Sequence, residues 1–152
     1  MLSNGARNPE NLDREEGEEG EVRVAEAPII SVVDDDESIR EAVKNLMRSV
    51  GFRVGAFASA EEFLQSEHVR QTACLILDVR MPGMSGLELQ RQLVASHSRV
   101  PIIFITAHGD GMAQARALEA GAVAFLYKPF AEEVLLKAID RALGHNGDTG
   151  EA

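Results

Sequence analysis

The chain has 152 residues, 45% of them apolar and 26% charged, which suits the core of one ordinary domain. Its formal net charge of −10 argues against non-specific binding to DNA, RNA or an anionic membrane, each of which needs a basic footprint. No apolar run approaches the roughly 20 residues that span a bilayer, and the N-terminus lacks the basic-then-apolar order of a secretory signal.

Residues 1–27 carry eight acidic and three basic residues, few large apolar ones and no helical or strand period. They are expected to form a disordered acidic arm holding half of the net charge, most simply a solvated extension. Pro28 marks the border of a folded unit expected over 28–143, and the polar, Gly-rich residues 144–152 are expected to be a flexible tail.

Within the unit, short apolar or β-branched runs occur at Ile29–Val33, Phe52–Phe57, Ala73–Leu77, Pro101–Ile105 and Val123–Leu126. Helical spacing lies between them. Ile39, Val43, Leu46, Met47 and Val50 share one helical face, as do Val134, Leu135, Ala138, Ile139 and Ala142 in the last segment. Ser59–Glu62 and Ser85–Glu88 read as capping boxes. Asp110 can cap a helix that Gly121 would stop. Five β-α units joined this way predict a parallel sheet with helices on both faces. The runs ending at Val33, Leu77 and Ile105 are almost continuously apolar, as strands covered on both faces are. The one cysteine, Cys74, lies inside such a run and reads as a small core residue, which fits a reducing, cytoplasmic compartment.

In a parallel sheet the residues just past each strand lie along one edge, where ligands bind. Those residues are Asp34 and Asp35 after the first run, uncharged Ala58 and Ser59 after the second, Asp78 after the third, Thr106 after the fourth and Lys128 near the end of the fifth. Alone, each is explained by turn formation, capping or solvation. Together they outline a phosphoryl-transfer site. Three close carboxylates raise one another's pKa unless a cation neutralises them. Mg²⁺ (or Mn²⁺) suits such a set, and Lys128, Thr106 and a carboxylate nucleophile supply the remaining parts.

The segments "VVDDDESIR", "LILDVRMPGMSGLEL", "PIIFITAHGD" and "ALEAGAVAFLYKPF", in this order and spacing, resemble the receiver domain of two-component response regulators over about Ile29–Leu143. "DVRMPGMSG" with "TAHGD" is most similar to the nitrogen-fixation-regulator subgroup, whose members often carry a DNA-binding helical domain after the receiver. The resemblance implies a flavodoxin-like α/β fold, a five-stranded parallel sheet of order 2-1-3-4-5 with five helices. It implies that Asp78 is the phosphoacceptor. Asp35, Asp78 and the Arg80 carbonyl would then be direct Mg²⁺ ligands, with Asp34 acting mainly through water. Lys128 and Thr106 would bind phosphoryl oxygens, Phe125 would be the aromatic switch, and the Lys128–Pro129 bond would be cis. Arg80 and His108, two residues past Asp78 and Thr106, are expected to modulate phosphoryl loss, and Arg80 has acidic residues near the site with which to pair.

The implied partners are a sensor histidine kinase or phosphotransfer protein, and a downstream protein target or a second copy. The latter would use the face of Asp110–Gly121, Val123–Leu126 and Ala131–Leu143, the fourth helix, fifth strand and fifth helix of the five-unit count. No enzyme turnover is expected beyond the chain's own phosphorylation and dephosphorylation. The nine residues after Leu143 are too few for a DNA-binding output domain, so the chain is expected to be a stand-alone receiver or part of a longer regulator. Two rivals stand beside this reading. An aspartyl-nucleophile phosphatase usually needs a second Asp where this chain has Arg80. A phosphorylation-independent adaptor would have no need of the intact set Asp34, Asp35, Asp78, Thr106 and Lys128.

Overall fold

The computed structural model describes residues 27–144, so the expected arm and tail lie outside the described residues but for Ala27 and Gly144. Five strands alternate with helices: β1 Ile29–Val33, β2 Arg53–Phe57, β3 Thr72–Asp78, β4 Ile102–Thr106 and β5 Ala124–Tyr127. All pair in parallel, in the order β2-β1-β3-β4-β5. The expected order and strand positions hold, and β3, β4 and β5 each run one residue further, to Asp78, Thr106 and Tyr127.

The helices are α1 Glu37–Ser49, α2 Ala60–Leu64, α3 His68–Gln71, α4 Gly86–Ala95, α5 Gly111–Glu119 and α6 Glu132–Ala142. The described residues thus hold six helices against five expected, because the second helical segment breaks in two. Ser66 explains the break: its hydroxyl donates to the Phe63 carbonyl at 2.7 Å and accepts from the His68 N–H at 3.1 Å, offering the backbone an alternative to continued helix.

The sheet divides the core. On one face Val43 and Met47 of α1 and Leu135, Ala138 and Ile139 of α6 pack on Ile30, Val32, Cys74, Ile76, Ile103 and Ile105. On the other, α2, α4 and α5 cover Val33, Leu75, Leu77, Phe104 and Phe125. The alternation along β3 is the period-2 geometry of a strand buried on both sides. Two residues of the expected helical faces are instead exposed: Val50, at 46%, is past the last turn of α1, and Val134, at 47%, starts α6 on the solvent side.

Ser85 and Glu88 form the expected reciprocal capping box of α4. Ser59 caps α2 through the Glu62 N–H, but the Glu62 carboxylate reaches past the cap to the Ala58 N–H at 2.7 Å, so that box is only half formed. Asp110 caps α5 from the N–H groups of Met112 and Ala113, and Gly121, at φ +106°, ends the helix in the left-handed region as expected. Among the described residues no helix is long and apolar enough to cross a membrane.

Candidate functional site

Strand register brings the polar residues together. Val33 of β1 pairs with Leu77 of β3, so Asp34 follows beside Asp78. Asp78 pairs with Ile105, so Thr106 lies one step beyond it on β4. Thr106 pairs with Tyr127, and the Lys128 N–H donates to the Thr106 carbonyl at 2.7 Å.

Carboxylate oxygens of Asp34, Asp35 and Asp78 all lie within 4.8 Å of one another. Asp34 is fully buried and Asp78 nearly so, whereas Asp35 is exposed. Lys128 closes the other side, its Nζ 2.8 Å from Asp34 Oδ2 and 3.7 Å from Asp78 Oδ2. The contact with Asp34 is an ion pair without hydrogen-bond geometry, and it leaves Asp34 Oδ2 buried with no hydrogen-bond partner. The other oxygen, Oδ1, accepts from the Asp36 N–H at 2.9 Å.

Burial pushes the Asp78 carboxyl up to about 7, with the charge of Asp34 adding to the rise and Lys128 opposing it. Burial would lower the Lys128 ammonium, but the Asp34 carboxylate against it, then the charge of Asp78, outweigh burial and hold the group above its ordinary value. The cluster therefore holds more negative charge than one lysine satisfies. A buried carboxylate oxygen whose one partner is the Lys128 ammonium, two further carboxylates with oxygens within 4.8 Å and an all-oxygen donor set fit a hard divalent cation.

The remaining expected residues divide. The Thr106 hydroxyl is buried and engaged with its own loop, accepting from the His108 N–H at 3.1 Å. His108 itself is exposed, as is Ala107. Phe125 is nearly buried, its ring 5.9 Å from Phe104 and 5.5 Å from Tyr127 between centroids. The Lys128–Pro129 bond is cis. The Arg80 N–H approaches Asp78 Oδ1 at 3.4 Å, and its guanidinium pairs with Asp110 at 3.3 Å. Asp36, in the same acidic run, caps α1 instead of joining the site: the Ser38 hydroxyl and N–H donate to it and hold its carboxyl below the ordinary value. Cys74 is buried in the core, and burial pushes its thiol up to about 12, which makes it unreactive.

Three supports were not read from the sequence. Arg40 donates to the Asp34 carbonyl at 2.8 Å, fixing the turn after β1. Glu61 accepts from the Met84 N–H at 2.9 Å, tying the loop after Asp78 to α2. Gly86 starts α4 so close to Asp78 that a Cβ there would overlap the Asp78 carbonyl. The first spans six residues across the start of α1 and the second joins residues 23 apart, and neither has a sequence pattern that marks it. The "MSGLE" stretch did hold a glycine just inside a capped helix start, where a side chain costs less entropy, and that was the available clue.

Residues 30–140 match the family described as the response regulator receiver domain. The chain is 46% identical over 136 residues to nodulation protein W of Bradyrhizobium diazoefficiens, covering 90% of this chain and 60% of that protein. It is 50% identical over 117 residues to the response regulator protein TodT of Pseudomonas putida, covering 77% of this chain and 52% of that one. The chain thus spans between about half and three-fifths of these relatives' length. Among solved structures, response regulator StyR superposes with a TM-score of 0.73 at 51% identity, covering 82% of this chain and 63% of that one. The structure titled FixJ-N superposes with a TM-score of 0.70 at 38% identity, covering 79% and 96%.

Proposed function

The chain belongs to the response regulator receiver domain family of two-component systems, and on that premise we propose that Asp78 is a phosphoacceptor served by Mg²⁺. The observation that carries the reading is the convergence of Asp34, Asp35 and Asp78 with Lys128 at the carboxyl edge of the sheet, with one buried carboxylate oxygen lacking a hydrogen bond. Asp35, Asp78 and the Arg80 carbonyl would hold the ion directly and Asp34 mainly through water. A bound divalent cation supplies the positive charge that keeps Asp78 ionised and offsets the phosphoryl oxygens.

In the step itself an Asp78 carboxylate oxygen attacks the phosphorus of a phosphohistidine on a sensor kinase or phosphotransfer protein. A P–O bond forms, the P–N bond breaks, and its electron pair returns to the imidazole. Lys128 stands where it can pair with the incoming phosphoryl oxygens. The Thr106 hydroxyl, held only by its own loop, is free to turn toward the same oxygens. Its movement would open space for Phe125, biasing a pre-existing equilibrium of the α5–β5–α6 face. That face exposes Met112, Leu118, Tyr127 and Val134, a surface suited to a downstream protein or a second copy. The chain would catalyse only its own phosphorylation and dephosphorylation. A cytoplasmic setting fits the single free cysteine.

The phosphatase alternative finds no support at Arg80, where an acid would be required and where the side chain pairs with Asp110 instead. The test is incubation with Mg²⁺ and acetyl phosphate, read by intact mass. One hydroxylamine-labile phosphoryl group is expected on the chain and none on Asp78→Asn. No adduct from acetyl phosphate or a kinase would leave the adaptor reading standing, and steady phosphate release would favour the phosphatase.

A further inference from the structure

Asp110 uses its two carboxylate oxygens for different things. Oδ1 caps α5, accepting from Met112 and Ala113 at 3.1 and 3.2 Å. Oδ2 holds the Arg80 guanidinium at 3.3 Å. Arg80 in turn presents its backbone N–H to Asp78 Oδ1. One residue between acceptor and helix therefore touches both. The connection runs on: the Asp110 carbonyl accepts from the Gln114 N–H at 3.1 Å, and the Gln114 side chain accepts from the Tyr127 hydroxyl at 2.8 Å. Tyr127 stacks edge-on against Phe125.

We propose that the Arg80–Asp110 pair is a latch on the unphosphorylated state, opened when a phosphoryl group on Asp78 draws the guanidinium away from Asp110. This rests on the reading of Asp78 as phosphoacceptor. The competition favours the phosphoryl group, which brings up to about two negative charges and three acceptor oxygens against the one charge of Asp110, and guanidinium pairs well with both. Arg80 already lies next to Asp78 along the backbone, so only its side-chain torsions need to change. The pair is exposed at 57% and 36%, which makes it weak enough to be displaced. Once released, the loop from Thr106 to Asp110 loses its tie to the acceptor loop and can follow Thr106. Arg80 is here a positioning residue that acts on α5 through Asp110.

The test compares wild type, Asp110→Asn, Arg80→Gln and the double variant by NMR of the Phe125 and Tyr127 rings, with and without Mg²⁺ and acetyl phosphate. Asp110→Asn keeps an oxygen for the cap and loses the charge; Arg80→Gln leaves the cap untouched, so a folding defect in the first does not remove the test. Both single variants are expected, when unphosphorylated, to move the ring signals toward the wild-type adduct positions, a population gain of about two- to fivefold for an exposed pair. The double variant is expected to add nothing further. High salt should shift wild type the same way and leave Asp110→Asn where it is. Ring signals that stay at wild-type positions in both variants, or effects that simply add, would overturn the latch while an adduct seen by mass leaves the phosphoacceptor reading intact. Absence of the adduct in wild type would overturn both.

Discussion

Lys128 Nζ lies 2.8 Å from Asp34 Oδ2, and the aspartate is fully buried while the lysine is 14% exposed. This pair joins the two ends of the site, the turn after β1 and the end of β5. Removing one member of a buried pair strands the other charge, at a cost of about 3–5 kcal/mol. Lys128→Ala is therefore expected to lose roughly 3 kcal/mol in urea denaturation, the low end because some solvent reaches the lysine. The double change Asp34→Asn with Lys128→Met should recover most of it. A Lys128→Ala loss below about 1 kcal/mol would mean that water already stabilises Asp34.

A second expectation concerns pH in the absence of metal. Asp78 has its carboxyl raised from 3.8 to about 7, chiefly by burial and then by Asp34. Between those values the folded chain binds a proton that the unfolded chain does not, so stability is full below about 4 and is lost as pH rises to about 7. Lys128, raised above 10.5, contributes stability that is full below that value and is lost as pH rises from there through its folded value. Asp78→Asn should flatten the slope between pH 4 and 7 and melt several degrees above wild type at pH 8 in EDTA. A variant that melts at or below wild type there would remove charge repulsion as the cause.

Mg²⁺ should reverse that penalty. Binding only to the folded chain adds about 2.7 kcal/mol at a hundredfold excess over Kd, so thermal melting of wild type should rise with Mg²⁺ and fall back on chelation. Asp35 is exposed, so Asp35→Asn should leave metal-free melting near wild type and abolish the rise. A full Mg²⁺ response in Asp35→Asn would place the ion elsewhere.

The Gly86 contact makes a prediction whose sign is informative. In an open helix, Gly→Ala adds up to about 1 kcal/mol of stability. Here the new Cβ would overlap the Asp78 carbonyl, so Gly86→Ala is expected to cost about 1–3 kcal/mol. It should also slow adduct formation at Asp78. Stabilisation by alanine, seen in chemical denaturation, would show that α4 can draw back from β3.

Much of this was legible because strand ends in a parallel sheet converge by geometry alone. Once the runs ending at Val33, Leu77 and Ile105 are strands, Asp34, Asp78 and Thr106 must share an edge, and register fixes them as neighbours. The roles within the edge were less legible. Asp35 and Asp36 were separable by position, one just past the strand and the other at the helix start, and the structure turns the first to the cluster and the second to Ser38; what other side chains reach was not legible. Glu62 reads as half of a capping box but reaches Ala58, and Ser66 interrupts a helix through two hydrogen bonds that no periodicity reveals. Arg80 illustrates the limit: its position relative to Asp78 signalled proximity, but its partner Asp110 is 30 residues away.

The two-sided core has a consequence for access. Along the strands, Asp34 continues the parity of Ile30 and Val32, Asp78 that of Cys74 and Ile76, and Lys128 that of Ala124 and Leu126, all on the α1–α6 side. Thr106 continues the parity of Ile102 and Phe104, the side that also holds Phe125 and is covered by α2, α4 and α5. The acceptor carboxylate and the switch pair of the proposed mechanism would thus be set on opposite sides of a single β layer. On that reading, a phosphodonor reaching Asp78 from the α1–α6 side and a reader gripping α5 would approach from different directions, so the two need not take turns on the molecule.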